Sequence, residues 1–271
     1  MIGRAVGFGF STARDFVARG LIRIRVTPDA LTLTGMFFTL AAGVCYALGA
    51  STPHLAWTLR VRAGGPDAYL MLAGALIILS SACDMLDGAV ARLGKQSTVF
   101  GAFLDSTLDR FSDFAVFAGI ALCYAWQKPA NLTFVLFAML AFFNAFMISY
   151  ARARAEDLIE SCTVGYWQRG ERSAAILIAT FSYNVPALLV QQAISPMFTV
   201  WRRIAHTHAV IHGRTPVTDP RKGPWHLKCR LWRWPRMTVP YDVITGLNIA
   251  WLILAPVPNV DPIRMLLGVG G

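Results

Sequence analysis

Acidic side chains cluster in a stretch of the chain that is otherwise apolar. Of the 15 acidic residues, five fall between positions 84 and 113: Asp84, Asp87, Asp105, Asp109 and Asp113. Each carboxylate at membrane depth raises the free energy of insertion by about 2.5–3.5 kcal/mol, so such a group requires compensating positive charge. Arg92 and Arg110 alone cannot provide it. The pattern therefore favours bound metal ions, although a proton or cation pathway lined by aspartates has the same signature.

The spacing predicts that four of these carboxylates meet at one level. Asp84 and Asp87 are three residues apart, which places them on one face of a helix. Asp105 and Asp109 are four residues apart, with the same consequence. A short loop around Lys95 makes the two helices antiparallel neighbours, with the two pairs at equal depth. Four hard oxygen ligands suit magnesium, or alternatively manganese, and can hold two ions.

Composition places these helices in a membrane. The chain has 271 residues, of which 55% are hydrophobic and 15% charged, and its mean hydropathy is +0.50. A soluble domain has about a quarter charged residues, so this class is excluded. Apolar stretches at 30–50, 66–90, 102–126 and 131–150 are each near the roughly 20 residues that span a bilayer. Residues 172–203 are interrupted at Tyr183–Pro186, which leaves either one kinked helix or two short ones. Basic residues on both sides of this stretch predict that both ends are cytoplasmic, which favours a helical hairpin and an all-α, six-span polytopic core.

Charge predicts the topology and the flanking segments. Residues 1–26 combine scattered arginines with apolar residues and predict an amphipathic interfacial helix. Residues 27–206 form the predicted membrane domain, and residues 207–271 a basic aromatic interfacial segment followed by the extra apolar run 241–256. The net charge is +10, with many arginines between 202 and 236. The positive-inside tendency then predicts an integral protein of the cytoplasmic membrane, with the aspartates near the cytoplasmic face.

The aspartates belong to a longer motif. Its fixed positions follow the pattern D-x-x-D-G-x-x-A-R-x8-G-x3-D-x3-D: Asp84, Asp87, Gly88, Ala91, Arg92, Gly101, Asp105 and Asp109. This motif resembles the complete signature of the CDP-alcohol phosphotransferases, and the resemblance covers roughly residues 20–205. It implies an enzyme in which an alcohol attacks the β-phosphorus of a CDP-linked lipid and CMP leaves.

The resemblance also implies roles for individual residues. Asp84 and Asp105 would bridge two magnesium ions and Asp87 would bind one of them, whereas Asp109 would bind the other and act as the general base. The CDP moiety of the lipid would contact the side of the site formed by Gly88, Arg92 and Thr98. The segment from Asp29 to Thr32 resembles the nucleotide-side segment of the first helix in that family.

A second set of positions resembles prokaryotic phosphatidylinositol-phosphate and archaetidylinositol-phosphate synthases. It comprises Ser149–Glu156, Arg169–Arg172 and Val200–Arg202. The resemblance implies that Arg152, Arg169 and Arg202 of this chain converge on an acceptor that already bears a phosphate. A phosphate group suits the geometry of a guanidinium. Inositol phosphate is the expected acceptor, and glycerol 3-phosphate is the alternative.

An ion or proton transporter is the alternative from another functional class. A pathway requires polar groups through the whole bilayer, but the outer halves of the two helices, 68–78 and 115–123, are apolar. The enzyme is therefore favoured, with a CDP-lipid donor, a small phosphorylated alcohol and membrane lipids as partners. A homodimer stays open, and nucleic acid is not an expected partner.

Overall fold

The computed structural model describes residues 2–50, 68–214, 238–258 and 260–268, together with 225, 229–230 and 233–236. These residues form helices and no strand. The helices are α1 (Ile2–Arg23), α2 (Pro28–Gly49), α3 (Ala68–Leu93), α4 (Val99–Ala125), α5 (Leu132–Glu156), α6 (Arg169–Phe181), α7 (Val185–Ile194), α8 (Met197–Ile211), α9 (Val239–Leu254) and α10 (Pro262–Leu267). The predicted all-α class is confirmed for this part of the chain. Positions 66–67 and, within the 207–240 segment, positions 215–224, 226–228, 231–232 and 237 lie outside the described residues.

Side-chain caps fix where three long helices begin. The Thr27 hydroxyl accepts a hydrogen bond from the backbone N–H of Ala30 at 3.3 Å, at the start of α2. Thr98 caps α4 and Asn131 caps α5 in the same way, with distances of 2.9 and 3.0 Å. Each cap satisfies a backbone donor that has no partner inside the helix. These local signals set the register of the residues that follow, including the aspartates of α4.

Helix α2 packs against both α3 and α4, whereas α3 and α4 make at most a few direct backbone contacts. The sequence predicted α3 and α4 as antiparallel neighbours, and their carboxylates do meet, but α2 packs more closely against each of them than they pack against each other. Glycines on α2 are the physical reason. A Cβ at Gly35 would lie 3.2 Å from Cys83 Cβ on α3, and a Cβ at Gly43 would lie 2.5 Å from the Ala115 carbonyl on α4. The backbone of α2 therefore approaches both helices closely, as small residues allow in membrane proteins.

The predicted break within residues 172–203 is confirmed. Helix α6 ends at Phe181, Tyr183 adopts a φ of 55°, and α7 begins at Val185. The buried Asn184 side chain donates to the carbonyl of Ala255 at 3.0 Å, so the turn is held by the end of α9. Because α6 and α7 have 13 and 10 residues, each is shorter than the roughly 20 that span a bilayer, and the six-span count stays a prediction.

Within the described residues, three helices are long and apolar enough to cross a membrane: α2, α3 and α5. Helix α4 has 27 residues but carries Asp105, Asp109, Arg110 and Asp113, which lower its hydropathy. The charged residues of α4, which include two of the predicted metal ligands, are thus the reason why α4 is not among the helices apolar enough to cross a membrane. The apolar run 241–256 forms most of α9, whose 16 residues are fewer than the roughly 20 that span a bilayer.

Helix α1 packs against the half of α3 that is predicted to lie toward the cytoplasm. Ala18 is buried against Ala89 and Val90, whereas Phe16 and Ile24 are exposed. This exposure suits an interfacial helix, and its position in a membrane stays a prediction. The domain boundaries also stay predictions; α8 continues past residue 206 to Ile211, and α9 packs against α6 and α7.

Candidate active site

Three of the predicted metal ligands meet between α3 and α4. Asp84, Asp105 and Asp109 each offer a carboxylate oxygen, and these oxygens all lie within 4.8 Å of one another. The Oδ1 atom of Asp105 is buried and has no hydrogen-bond partner within the described part of the chain. A buried carboxylate oxygen without a donor carries a desolvation penalty that a cation would remove. The donor set and this unsatisfied oxygen therefore fit a hard divalent ion.

The fourth predicted ligand lies beside this group and is held by α2. Asp87 is buried, and its Oδ2 accepts a hydrogen bond from the Thr32 hydroxyl at 2.8 Å. Asp87 is within electrostatic range of Asp84 and Asp105. The close packing of α2 on α3 thus orients the carboxylate through Thr32, which the sequence analysis had assigned to the nucleotide side.

Arg169 provides positive charge at the carboxylates. It is the first residue of α6, and its Nη1 contacts the Asp109 carboxylate and lies 3.4 Å from Asp84 Oδ1. A second pair follows one turn later, where Arg172 Nη2 donates to Asp113 Oδ2 at 3.2 Å. The start of α6 therefore supplies two of the compensating cations that α3 and α4 lack, a pairing that the sequence analysis did not predict.

The residues expected to contact CDP lie at the ends of α2, α3 and α4. A Cβ at Gly101 would lie 3.0 Å from Thr98 Oγ1 and 3.4 Å from Asp29 Oδ1, so these three residues are neighbours. A Cβ at Gly88 would lie 3.2 Å from the Nη1 atom of Arg92. The structure thus brings the start of α2 next to the start of α4. The Thr98 hydroxyl is engaged in capping α4, and its contact with CDP stays a prediction.

The three arginines expected at the acceptor have different partners. Arg152 pairs with Glu156 at 2.9 Å on α5, and Arg169 lies at the aspartates. Arg202, on α8, lines a cavity with Arg233 and donates to the Arg233 carbonyl at 3.5 Å. Their binding of an acceptor phosphate stays a prediction.

The sequence patterns indicated no role for Arg203 or Glu171. Arg203 is buried and donates to the carbonyls of Val164, at 3.1 Å, and Ile148, which fixes the loop before α6. Neighbouring helix residues point about 100° apart, so Arg202 and Arg203 cannot make the same contacts, and the helical periodicity of α8 was the signal that could have distinguished them. Glu171 accepts a bidentate pair of bonds from Arg236, both 2.8 Å, and this contact joins α6 to the C-terminal segment.

The charged groups outside the spanning helices respond to these contacts. Burial alone would lower the pKa of Arg236, but its hydrogen bonds to Glu171 raise that pKa above the ordinary value. Burial, and then the neighbouring charge of Arg230, lowers the pKa of Arg233. Arg236 is thus already neutralised by a carboxylate, whereas Arg233 has a partly desolvated guanidinium.

Apolar helices that enclose grouped carboxylates, with one carboxylate oxygen unsatisfied, define a helical membrane protein with a metal-binding centre. Comparison with known proteins gives the family. The sequence model described as CDP-alcohol phosphatidyltransferase matches residues 25–212, and the chain belongs to this family. It is therefore a transferase of phospholipid biosynthesis, and the transporter alternative is not supported.

Individual relatives agree with this assignment. The chain is 35% identical to the archaetidylinositol phosphate synthase of Methanothermobacter thermautotrophicus over 204 residues, which are 70% of this chain and 91% of that protein. It is 34% identical to the phosphatidylinositol phosphate synthase of Cutibacterium acnes over 174 residues, 63% of this chain and 73% of that protein. The predicted resemblance to phosphatidylinositol-phosphate and archaetidylinositol-phosphate synthases is confirmed.

Solved structures are similar as well. The phosphatidylinositol phosphate synthase of Mycobacterium tuberculosis in complex with manganese and citrate has a TM-score of 0.59 and 28% identity, covering 72% of this chain and 88% of that one. The same enzyme with CDP-DAG bound has a TM-score of 0.58 and 28% identity, covering 72% and 92%.

Proposed function

We propose that the protein transfers a phosphatidyl, or similar lipid-phosphate, group from a CDP-lipid to inositol phosphate and releases CMP. The observation that carries this proposal is the group of Asp84, Asp105 and Asp109 oxygens within 4.8 Å, in a chain of this transferase family. The names of two relatives, an archaetidylinositol phosphate synthase and a phosphatidylinositol phosphate synthase, support inositol phosphate as the acceptor. Glycerol 3-phosphate would carry the same charge and is the comparison acceptor.

The carboxylates would hold two magnesium ions, with manganese as a substitute. Asp84, Asp87, Asp105 and Asp109 would be the ligands of these ions. Bound divalent ions supply charge neutralisation of a diphosphate and a lower pKa for a coordinated hydroxyl. The buried, unpaired Oδ1 of Asp105 supports this assignment, because it has spare acceptor capacity inside the group.

The chain's own residues would then orient both substrates and move one proton. Asp109 is the proposed general base, because its carboxylate lies within the group and can take the proton of the attacking hydroxyl. Thr32 holds Asp87 in place through its 2.8 Å hydrogen bond. Asp29, Gly88, Arg92 and Thr98 would form the nucleotide side.

Arg169 has a special position in this mechanism. Its guanidinium contacts Asp109 and Asp84, and its side chain is 39% exposed, so it can exchange these carboxylates for the phosphate of an incoming acceptor. Such an exchange would leave Asp109 free to accept the proton. We place this centre near the cytoplasmic face, because the basic residues of the α3–α4 loop and of α8 flank it.

The test is CMP release by purified protein in lipid nanodiscs with CDP-diacylglycerol, magnesium and each of three alcohols. We expect turnover with inositol phosphate, less with glycerol 3-phosphate and none with unphosphorylated inositol. Asp105→Asn should lower the rate by at least about 100-fold and weaken Mn²⁺ binding, because it removes a proposed metal ligand.

Asp157→Asn is the matched control. Asp157 lies at the end of α5 and is 62% exposed, so this variant should retain activity and metal affinity. Undiminished CMP release in excess chelator would refute the metal-dependent mechanism. Turnover restricted to an unphosphorylated alcohol would refute the acceptor.

A further inference from the structure

A cavity of about 610 Å³ lies between the family domain and the C-terminal segment. The loop before α6 forms one wall with Thr163, Gly165 and Gln168, and α8 contributes Arg202. The remaining wall comes from residues 233–236 and Tyr241. These last residues lie beyond residue 212, where the match to the family ends.

The C-terminal wall is anchored to the domain. Arg236 forms the bidentate pair with Glu171 on α6, and the Tyr241 hydroxyl donates to the same carboxylate at 2.5 Å. Tyr166, in the loop before α6, donates to the hydroxyl of Thr245 at 3.1 Å. Because two elements of the domain hold the segment, the cavity has a defined geometry rather than a loose cover.

Two arginines from different parts of the chain meet at this cavity. Arg202 lies within electrostatic range of Arg233, and its Nη2 is 3.5 Å from the Arg233 carbonyl. The Nε of Arg233 is buried and finds no hydrogen-bond acceptor among the residues that the structure describes. Two neighbouring guanidinium groups repel each other unless an anion lies between them. A buried donor without an acceptor indicates a missing ligand atom in the same way.

Consecutive residues at the start of α6 connect the cavity to the carboxylate centre. Gln168 lines the cavity, and the next residue, Arg169, contacts Asp84 and Asp109. A small polyol phosphate could therefore place its phosphate at the arginines while a hydroxyl points toward Asp109. A phosphate monoester also suits the planar fork of a guanidinium, which binds two oxygens at once.

We propose that Arg233, supplied by the C-terminal segment, binds the phosphate monoester of the acceptor together with Arg202 and so determines the specificity for a phosphorylated alcohol. This proposal rests on the proposed function. A membrane lipid headgroup offers the same phosphate chemistry, and the experiment separates these two sources.

The experiment uses the full-length protein in nanodiscs with magnesium and compares Arg233→Ala, Arg233→Lys and Arg230→Ala. Arg230 is exposed, lies three residues earlier and does not line the cavity in the described part of the chain, so it controls for charge. Arg233→Ala should raise the KM for inositol phosphate by about 10-fold or more, the effect of losing a charged hydrogen bond. Arg233→Lys should recover part of this loss, and Arg230→Ala should change the KM by less than about 2-fold.

Two further measurements make the result specific. The KM for CDP-diacylglycerol should stay unchanged in Arg233→Ala, whereas general misfolding would alter both substrates. Equilibrium binding of radiolabelled inositol phosphate, without CDP-lipid, should weaken in the same variant by a similar factor. A separate comparison uses nanodiscs of phosphatidylcholine alone and nanodiscs that contain phosphatidylglycerol. The increase in the KM for inositol phosphate caused by Arg233→Ala should be the same in both.

The outcomes separate this proposal from the proposed function. Equal acceptor KM values for Arg233→Ala and Arg230→Ala, with wild-type turnover intact, would overturn the role of Arg233 and leave the function standing. A defect that appears only with phosphatidylglycerol would assign the cavity to lipid headgroups and also overturn the proposal. Wild-type protein that uses no phosphorylated alcohol would instead refute the proposed function itself.

Discussion

Replacing Arg172 by methionine tests how the membrane domain tolerates its buried charges. The Arg172 side chain is 4% exposed and its partner Asp113 is 18% exposed, with 3.2 Å between Nη2 and Oδ2. Methionine would fill much of the space but leave Asp113 without its cation. Removal of one partner from a buried pair lowers the free energy of unfolding by about 3–5 kcal/mol. Arg110 lies within electrostatic range of Asp113 and retains part of the compensation, so we expect the lower end, about 3 kcal/mol.

The chain contains a matched exposed pair. Arg154 and Asp157 are 3.1 Å apart, nearly the same separation, but their side chains are 63% and 62% exposed. Arg154→Met should therefore lower the free energy of unfolding by less than about 1 kcal/mol, because water screens the interaction. The two variants differ in burial, and their comparison isolates its effect.

Thermal unfolding in detergent is the assay. A loss of about 3 kcal/mol corresponds to a Tm decrease of roughly 6–12 °C for a chain of this size. Adding Asp113→Leu to Arg172→Met should recover part of this loss, because it removes the uncompensated carboxylate. Equal Tm values for Arg172→Met and Arg154→Met, or no recovery in the double variant, would refute the reasoning.

Three other predictions concern single contacts and topology. Thr32→Val should weaken Mn²⁺ binding by about 10-fold or more, because Asp87 loses the hydrogen bond that orients it. The measurement is a Mn²⁺ titration, and an unchanged affinity would contradict this role of Thr32. Asp261→Ala should lower the free energy of unfolding by about 1 kcal/mol, because the Asp261 carboxylate accepts backbone hydrogen bonds at 2.7 and 3.1 Å from the start of α5. Thermal unfolding measures this change, and an unchanged Tm would contradict the capping role of Asp261. Cysteines at positions Lys95 and Arg214 should resist a membrane-impermeant reagent in intact cells, and strong labelling at either position would place that loop outside.

The chemistry of the centre was predictable from the sequence because it depends on local periodicity. Spacings of three and four residues put Asp84 and Asp87, and Asp105 and Asp109, on single helix faces whatever surrounds them. Three of these four carboxylates group together in the structure, and the fourth lies beside them. The break before Val185 was equally local, since a proline follows it directly.

Packing between distant segments could not be derived from such patterns. The spacing suggested that α3 and α4 pack side by side, but the glycines of α2 allow that helix to approach both more closely. Likewise the basic character of residues 202–236 predicted a cytoplasmic location, yet nothing in it showed that Arg236 would pair with Glu171 on α6.

The arginines show most clearly which features follow from the sequence and which depend on the tertiary structure. The sequence determined that the loops around α6 and α8 are basic, and therefore that positive charge is available near the carboxylates. Only the tertiary structure decided that Arg169 faces Asp109, that Arg172 faces Asp113 and that Arg202 lies beside Arg233. The physical reason is that a helix fixes which of its own residues share a face. The partner that each face meets depends on how closely the neighbouring backbones can pack.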